Sequence, residues 1–267
     1  MTNIKRASLL GLPRELRLAI YDETLEHIPS WNFGYKESFD DHGYHTALVS
    51  KSGNARLPSW ITLRATCKTM ASELDAYIRT PSMQNQLGGH QTYQLRMHAW
   101  RGNARELQWE RLPCTPEECR TVTANIELHG DVKFWGDGGP RPIVRDLYQT
   151  LNLLLHCGPR MDPGHPLPRA MKLEELIIRV IYVKDPDEEE EMQMRVKDTF
   201  SEIYHAVQTL QQTGLLWGLV DAVEVHDRGL NLPRVIVHRS EAPSVPAHWD
   251  RYGFEWGIEG RVSTEQS

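Results

Sequence analysis

The chain has 267 residues, which is enough to bury a sizeable core and corresponds to one or two domains. Hydrophobic residues make up 40% of it and charged residues 25%, as is ordinary for a soluble globular protein, if slightly lean in apolar residues. The 30 basic and 36 acidic side chains give a net charge of −6. That balance argues against a dedicated nucleic-acid surface, because such surfaces concentrate positive charge against phosphates.

The sequence contains no apolar run long enough to span a bilayer, and its N-terminal apolar stretch is too short for a signal-peptide core. Its four cysteines show no dense disulfide framework and suit a reducing compartment. We therefore expect a protein of the cytoplasm or nucleus, with neither a membrane nor a nucleic acid as partner.

Residues 9–25 predict a short helix that begins at about Leu12. Pro13 suits the first helical position because it has no N–H to leave unpaired, and Glu15 follows in the positively polarised first turn. Apolar residues recur at helical spacing, so one side of this helix should be covered. They are Leu12, Leu16, Ile20 and, less regularly, Leu25.

Residues 59–78 predict a second amphipathic helix, with Ser59 as N-cap and Pro81 after its end. Its apolar seam steps by helical intervals through Leu63, Cys67, Met70, Leu74 and Tyr77.

Two motifs in these helices resemble the F-box-like domain that opens many ascomycete fungal proteins. They are Leu12-Pro13-x-Glu15-Leu16-x-x-x-Ile20-Tyr21 and Leu63-Arg64-x-x-Cys67-Lys68-x-Met70-x-x-Glu73. The resemblance implies helices that dock on the adaptor subunit of a cullin-based ubiquitin ligase, with the rest of the chain holding an unknown protein substrate. It implies a receptor and not a catalyst. The adaptor-binding residues that it implies are Leu12, Pro13, Leu16, Ile20, Leu63 and Cys67.

Residues 26–58 contain glycines, prolines and scattered aromatics without a sustained period, so we predict an inserted loop there. Because loops on rigid scaffolds often carry recognition, Trp31, Phe33 and Tyr35 are candidate partner-binding residues. In the alternative, which we favour, these aromatics pack onto the helical pair and fill a small core.

The remainder predicts a mixed α/β layer of serial β-α units, which makes the whole fold α+β. An antiparallel hairpin is expected from the alternating runs at residues 91–100 and 104–112. The near-continuous apolar run 173–183 predicts a strand buried on both faces. The other expected elements are strands at 122–128, 221–226 and 234–238 and helices at 143–155 and 189–213.

These elements divide into three predicted regions. Residues 1–85 form the F-box-like helical region with its inserted loop, residues 86–245 form the α/β partner-binding region, and residues 246–267 form a C-terminal tail. The aromatic half of the tail is expected to pack back on the protein.

No catalytic motif stands out in the sequence, since it has neither a Gly-x-Ser-x-Gly elbow nor a His-Glu-x-x-His pair. The spacing Cys114-x4-Cys119 is wider than a usual zinc pair, and His129 and His156 each end an element, where hydrogen-bonded histidines are common. We therefore predict no catalytic residue, no metal and no cofactor.

Three hypotheses of function follow. The preferred one is a non-catalytic F-box-like receptor. The second is a single-domain interaction scaffold whose F-box-like helices are buried in its own core. The third is an enzyme that uses Cys/His or acidic residues.

Overall fold

The computed structural model describes residues 9–26, 32–40, 43–50, 59–81, 91–100, 103–129, 142–183, 191–227, 235–237 and 256–257. Within these ranges the chain forms five α-helices and one eight-stranded sheet, so the fold is α+β as predicted. No helix in the described part of the chain is long and apolar enough to cross a membrane. The predicted domain boundaries at residues 85 and 245 lie outside the described residues.

Three helices form an N-terminal helical unit, and two longer helices belong to the sheet. The helical unit contains α1 (Arg14–Glu26), α2 (Ser59–Thr66) and α3 (Lys68–Ile78), and the sheet carries α4 (Pro142–Cys157) and α5 (Glu191–Gln212). A 3-10 turn, Leu9–Gly11, precedes α1.

The sheet has the strand order β2-β1-β4-β3-β5-β6-β7-β8. Strands β3, β5, β6 and β7 run parallel, and the remaining pairs are antiparallel. The strands are β1 (Asn32–Asp40), β2 (Gly43–Ser50), β3 (Thr92–Trp100), β4 (Asn103–Arg111), β5 (Thr121–His129), β6 (Leu173–Val183), β7 (Val220–Asp227) and β8 (Val235–Ile236).

Helices cover one face of the parallel strands. Helices α4 and α5 contact each other, as expected when successive right-handed crossovers proceed in one direction across a sheet. In β6, Leu176 and Ile178 are buried while Arg179 is exposed. The prediction that this strand is buried on both faces is therefore wrong, because the described helices cover only one of them.

The prediction that residues 26–58 form a loop is also wrong. This segment contains β1 and β2, which pair with each other, and β1 pairs with β4 through Phe33 opposite Leu107. The sequence signal for a strand was the aromatic residue at every second position, at Trp31, Phe33 and Tyr35. The helical region and the α/β region thus contribute strands to one sheet.

The predicted helix over residues 59–78 is broken at Cys67. Its backbone is extended, with φ −161° and ψ 158°, and its Sγ accepts the Met70 N–H at 3.5 Å. Cys67 therefore ends one short helix and caps the next, instead of continuing the apolar seam.

The described residues form two separate apolar cores. The larger lies between the sheet and helices α4 and α5, and Trp256 from the C-terminal tail packs against it, as predicted for the aromatic half of the tail. The smaller core belongs to the helical unit and contains Tyr21, Leu25, Trp60, Leu74 and Ile78.

Candidate functional site

Helix α1 has two apolar faces, and the helical unit covers only one of them. Tyr21 and Leu25 are buried, and Leu18 packs beside them against α2 and α3. These residues lie at helical spacing on the side opposite Leu16. Of the predicted stripe, only Leu25 is on the covered side.

Polar contacts fix α1 on α3. The Arg17 guanidinium donates to Glu73 through Nη2 (2.6 Å) and Nε (2.8 Å), and the Tyr21 hydroxyl donates to Glu73 Oε2 at 3.1 Å. The hydrogen bond from Arg17 lowers the pKa of the Glu73 carboxyl. The Tyr77 hydroxyl also donates to Asp22. Burial is the main cause, and this hydrogen bond the second, that raises the pKa of Tyr77 to about 12. The orientation of α1 is therefore fixed by directed contacts.

The other face of α1 is open to solvent. Leu16 is 52% exposed and Leu10 42%, Pro13 is exposed, and Leu12 and Ile20 are half-buried. We call Leu16 and Ile20, together with Leu12 and Pro13 directly before α1, the exposed α1 stripe. Four of the six residues predicted to bind an adaptor lie in it.

The remaining two predicted adaptor-binding residues serve the helical unit itself. Leu63 is half-buried and packs against the smaller core. Cys67 is half-buried and caps α3.

The predicted partner-binding aromatics do not form a described surface. Phe33 is only 2% exposed and belongs to the larger core, so its assignment to a binding loop is wrong. It is buried because β1 pairs with β4 and brings its side chain into the core of the sheet. Tyr35 lies in β1 opposite Leu48, and Trp31 lies outside the described residues.

The helical unit is attached at the end of the sheet where β3 and β5 begin. The Trp60 indole donates to the Leu112 carbonyl at 2.8 Å. Arg64 bridges Asp75 of α3 and Glu118 of the segment before β5, at 3.1 and 3.3 Å. These contacts leave the exposed α1 stripe on the far side of the unit's own core.

A second cluster lies on the sheet face that the described helices leave uncovered, at the opposite ends of β3 and β5. The parallel register pairs His98 with Glu127 and Trp100 with His129, and the period of two puts His98, Glu127 and His129 on one face. Three atoms converge there. His98 Nδ1 lies 3.2 Å from Glu127 Oε2 and 3.4 Å from His129 Nε2, and the last two atoms are 3.7 Å apart. We call these three residues the histidine cluster.

A polar network surrounds the histidine cluster. Arg96 Nε lies 3.3 Å from the other oxygen of Glu127, and its guanidinium also pairs with Glu110, to which Asn125 donates at 3.0 Å. Trp100 stacks on the His129 ring at 5.6 Å between centroids. An open cleft of about 350 Å³ adjoins the cluster and is lined by His98, Ala99, Trp100, Glu106 and His129.

The structure does not bring His129 together with His156 or with the Cys114 and Cys119 pair. His156, on α4, contacts Trp256, and Cys114 and Cys119 are buried near the start of β5. The sequence signal for this cluster was Glu127-x-His129 near the end of β5, with His98 near the end of β3. It indicates a cluster only when the register that pairs β3 with β5 is known. Among the described residues, the histidine cluster is the only group of three side chains arranged to hold a metal ion.

The molecule thus has two candidate sites, one at each end of the parallel strands. One is an apolar helix face on the N-terminal unit, and the other is a polar cluster with histidine and carboxylate groups. Neither the family models, nor the curated proteins, nor the solved structures with which the chain was compared include a match.

Proposed function

We propose that this protein is a non-catalytic F-box-like receptor of the cytoplasm or nucleus. In this proposal the exposed α1 stripe docks on the adaptor subunit of a cullin-based ubiquitin ligase, and the α/β region holds a protein substrate. The sequence motifs around Leu12 and Leu63 suggest the family, and the geometry of α1 supports docking.

The observation that carries the proposal is the exposure of Leu16 at 52% on a helix whose opposite face has its own core. A monomer that needed the Leu16 face for folding would bury it. The alternative, in which the F-box-like helices use this face to pack on the sheet, predicts a buried Leu16 and Ile20. Ile20 is only half-buried.

The exposed α1 stripe has the chemistry of a helix that enters an apolar groove. Apolar anchors at successive helical turns are the usual pattern of such docking. Leu16 and Ile20 supply two of them on α1, and Leu12 lies two residues before its start. Burying a fully exposed leucine contributes about 1.5–3 kcal/mol. Because Leu16 is 52% exposed, about half of that, roughly 0.8–1.5 kcal/mol, is expected from it.

Calorimetric titration of the full chain with the recombinant adaptor subunit tests the proposal. The informative variant is Leu16→Asp, which should leave the fold intact because the side chain already meets solvent. Its matched control is Ile236→Asp on β8, which changes another exposed apolar residue to the same acid. We expect wild type and control to bind alike, and Leu16→Asp to bind roughly 10-fold or more weakly.

Two results would contradict docking through α1. One is the absence of binding by folded wild-type protein, which would favour the interaction scaffold with no adaptor. The other is equal binding by wild type and Leu16→Asp, which would put any adaptor contact elsewhere on the chain.

A further inference from the structure

We propose that the histidine cluster is a Zn²⁺ site, with His98, Glu127 and His129 as its three protein ligands. This inference is independent of adaptor docking, because it depends on different residues at the opposite end of the sheet. It also differs from the prediction of no metal, which considered each histidine without its neighbours across the sheet.

The spacing of the donor atoms fits a tetrahedral zinc ion. Zinc lies about 2.1 Å from nitrogen and carboxylate ligands, which in a tetrahedron puts the ligand atoms about 3.4 Å from one another. The three distances between His98 Nδ1, Glu127 Oε2 and His129 Nε2 are 3.2, 3.4 and 3.7 Å. An ion therefore fits at the ordinary bond length without moving the backbone of either strand.

The donor set selects the metal class. Two imidazoles and one carboxylate form a known zinc set that leaves a fourth position for water or another ligand. Calcium and magnesium instead prefer all-oxygen shells of six or more ligands. The described groups at this point of the sheet therefore suit a borderline-soft transition-metal ion.

The surrounding charges hold the carboxylate in place and leave room for a cation. Arg96 contacts one oxygen of Glu127 and leaves the other directed at the two imidazoles. Because Arg96 is shared with Glu110, the group of one arginine and two glutamates has a net charge of −1. A divalent ion is therefore attracted in spite of the nearby guanidinium.

The cleft of about 350 Å³ adjoins two of the proposed ligands and gives the fourth position access to solvent. Glu106, which pairs with His98 across β3 and β4, lines the same cleft. The proposed ion would accordingly keep an exchangeable ligand, either water or a small oxygen-donor or nitrogen-donor molecule that enters beside Trp100.

The first experiment measures zinc binding to the full chain. The protein is stripped with a chelator and desalted, then titrated with ZnCl₂ against a chromophoric zinc chelator. The test variants are His98→Ala, Glu127→Gln and His129→Ala. The matched control is His226→Ala on β7. Glu224 and His226 repeat the Glu-x-His arrangement, with 3.0 Å between carboxylate and imidazole. Among the described residues, however, they belong to no group of three possible ligands.

We expect one zinc ion per wild-type or His226→Ala chain and a loss of roughly 100-fold or more in affinity for each of the three test variants. Substoichiometric binding to folded wild type would overturn the proposal. So would unchanged affinity in all three variants, or a loss in the control equal to theirs.

Cobalt substitution of the wild type gives a second measurement that needs no variant. Co²⁺ bound by two imidazoles and a carboxylate should show the visible ligand-field bands of a low-coordinate site, without the intense near-ultraviolet charge-transfer band of thiolate ligation. A thiolate band would assign the metal to the cysteines and overturn the proposal.

Zinc binding should also survive Leu16→Asp, so failure of the adaptor proposal and failure of this one are distinguishable.

Discussion

Arg17 of α1 and Glu73 of α3 form a two-point ion pair across the helical unit, with contacts of 2.6 and 2.8 Å. Paired N–H···O bonds of this kind fix direction as well as distance. Arg17 Nη1 also donates to the Leu12 carbonyl at 2.6 Å. One side chain therefore joins the α3 contact to the residue at which the exposed α1 stripe begins.

Replacing Glu73 with Gln should lower the melting temperature at neutral pH. The difference from wild type should shrink as the pH falls. Arg17 lowers the pKa of Glu73 in the folded protein, whereas the unfolded chain has a value of about 4.3. The stabilisation is thus fully present above about pH 4.3 and is lost as the pH falls through the lower folded value. Melting curves of wild type and Glu73→Gln from pH 7 to pH 2 should converge at the acidic end.

The control for this series is Glu174→Gln. Glu174 is exposed and lies 3.9 Å from Arg120, and isolated surface pairs of this kind contribute little. A melting difference for Glu73→Gln that stayed constant over the whole pH range would show that its ion pair is not the source of stability.

The smaller core and the exposed face of α1 predict different responses to truncation in the helical unit. Leu74 is fully buried in the smaller core, so Leu74→Ala should destabilise this unit by about 2–5 kcal/mol. Leu16→Ala should change stability by no more than about 0.5 kcal/mol, because Leu16 is half exposed and lies outside the smaller core. Hydrogen exchange of the α1 and α3 amides in the two variants gives both values. A Leu16→Ala variant as unstable as Leu74→Ala would mean that the stripe is part of the core.

Attachment of the helical unit to the sheet should depend on the Trp60 indole. Trp60→Phe removes the donor to the Leu112 carbonyl and leaves that buried acceptor unpaired, at a cost of about 1–3 kcal/mol. The control Trp217→Phe makes the same change at a residue that is 44% exposed, so it should cost less than Trp60→Phe. Urea denaturation followed by far-ultraviolet circular dichroism measures both. Equal stability of the two variants would argue that the indole hydrogen bond does not hold the unit to the sheet.

The sequence predicted the elements with strong local periodicity closely. The run 173–183 coincides with β6, and the predicted helices at 143–155 and 189–213 match α4 and α5 within a few residues at each end. In these segments the apolar spacing, the flanking glycine and proline residues and the tertiary packing all favour one structure.

The failures occurred where distant partners decide the structure. The burial of β6 depends on how many faces the helices cover, and β1 depends on its long-range partner β4. The break at Cys67 depends on a sulfur cap that an otherwise regular seam conceals. The histidine cluster needs the parallel register of β3 and β5, which no single-strand pattern contains.

The four cysteines should differ sharply in reactivity towards a thiol reagent in the native protein. Cys67 is half-buried on the helical unit, whereas Cys114, Cys119 and Cys157 are buried. The hydrogen bond with Cys119, together with burial, raises the pKa of Cys114 well above its usual range, and burial raises the pKa of Cys157 to about 11. Because only the thiolate attacks, both thiols should be slow at pH 8.

An absorbance time course with an aromatic disulfide reagent at pH 8 tests this difference. One of the four thiols should react quickly, and the rest only after denaturant is added. The variant Cys67→Ser should lose the fast phase and stay folded, because serine is a good N-cap and can replace the sulfur at the start of α3. A fast phase that persisted in Cys67→Ser would mean that Cys114, Cys119 or Cys157 is open to solvent, although all three are buried in the structure.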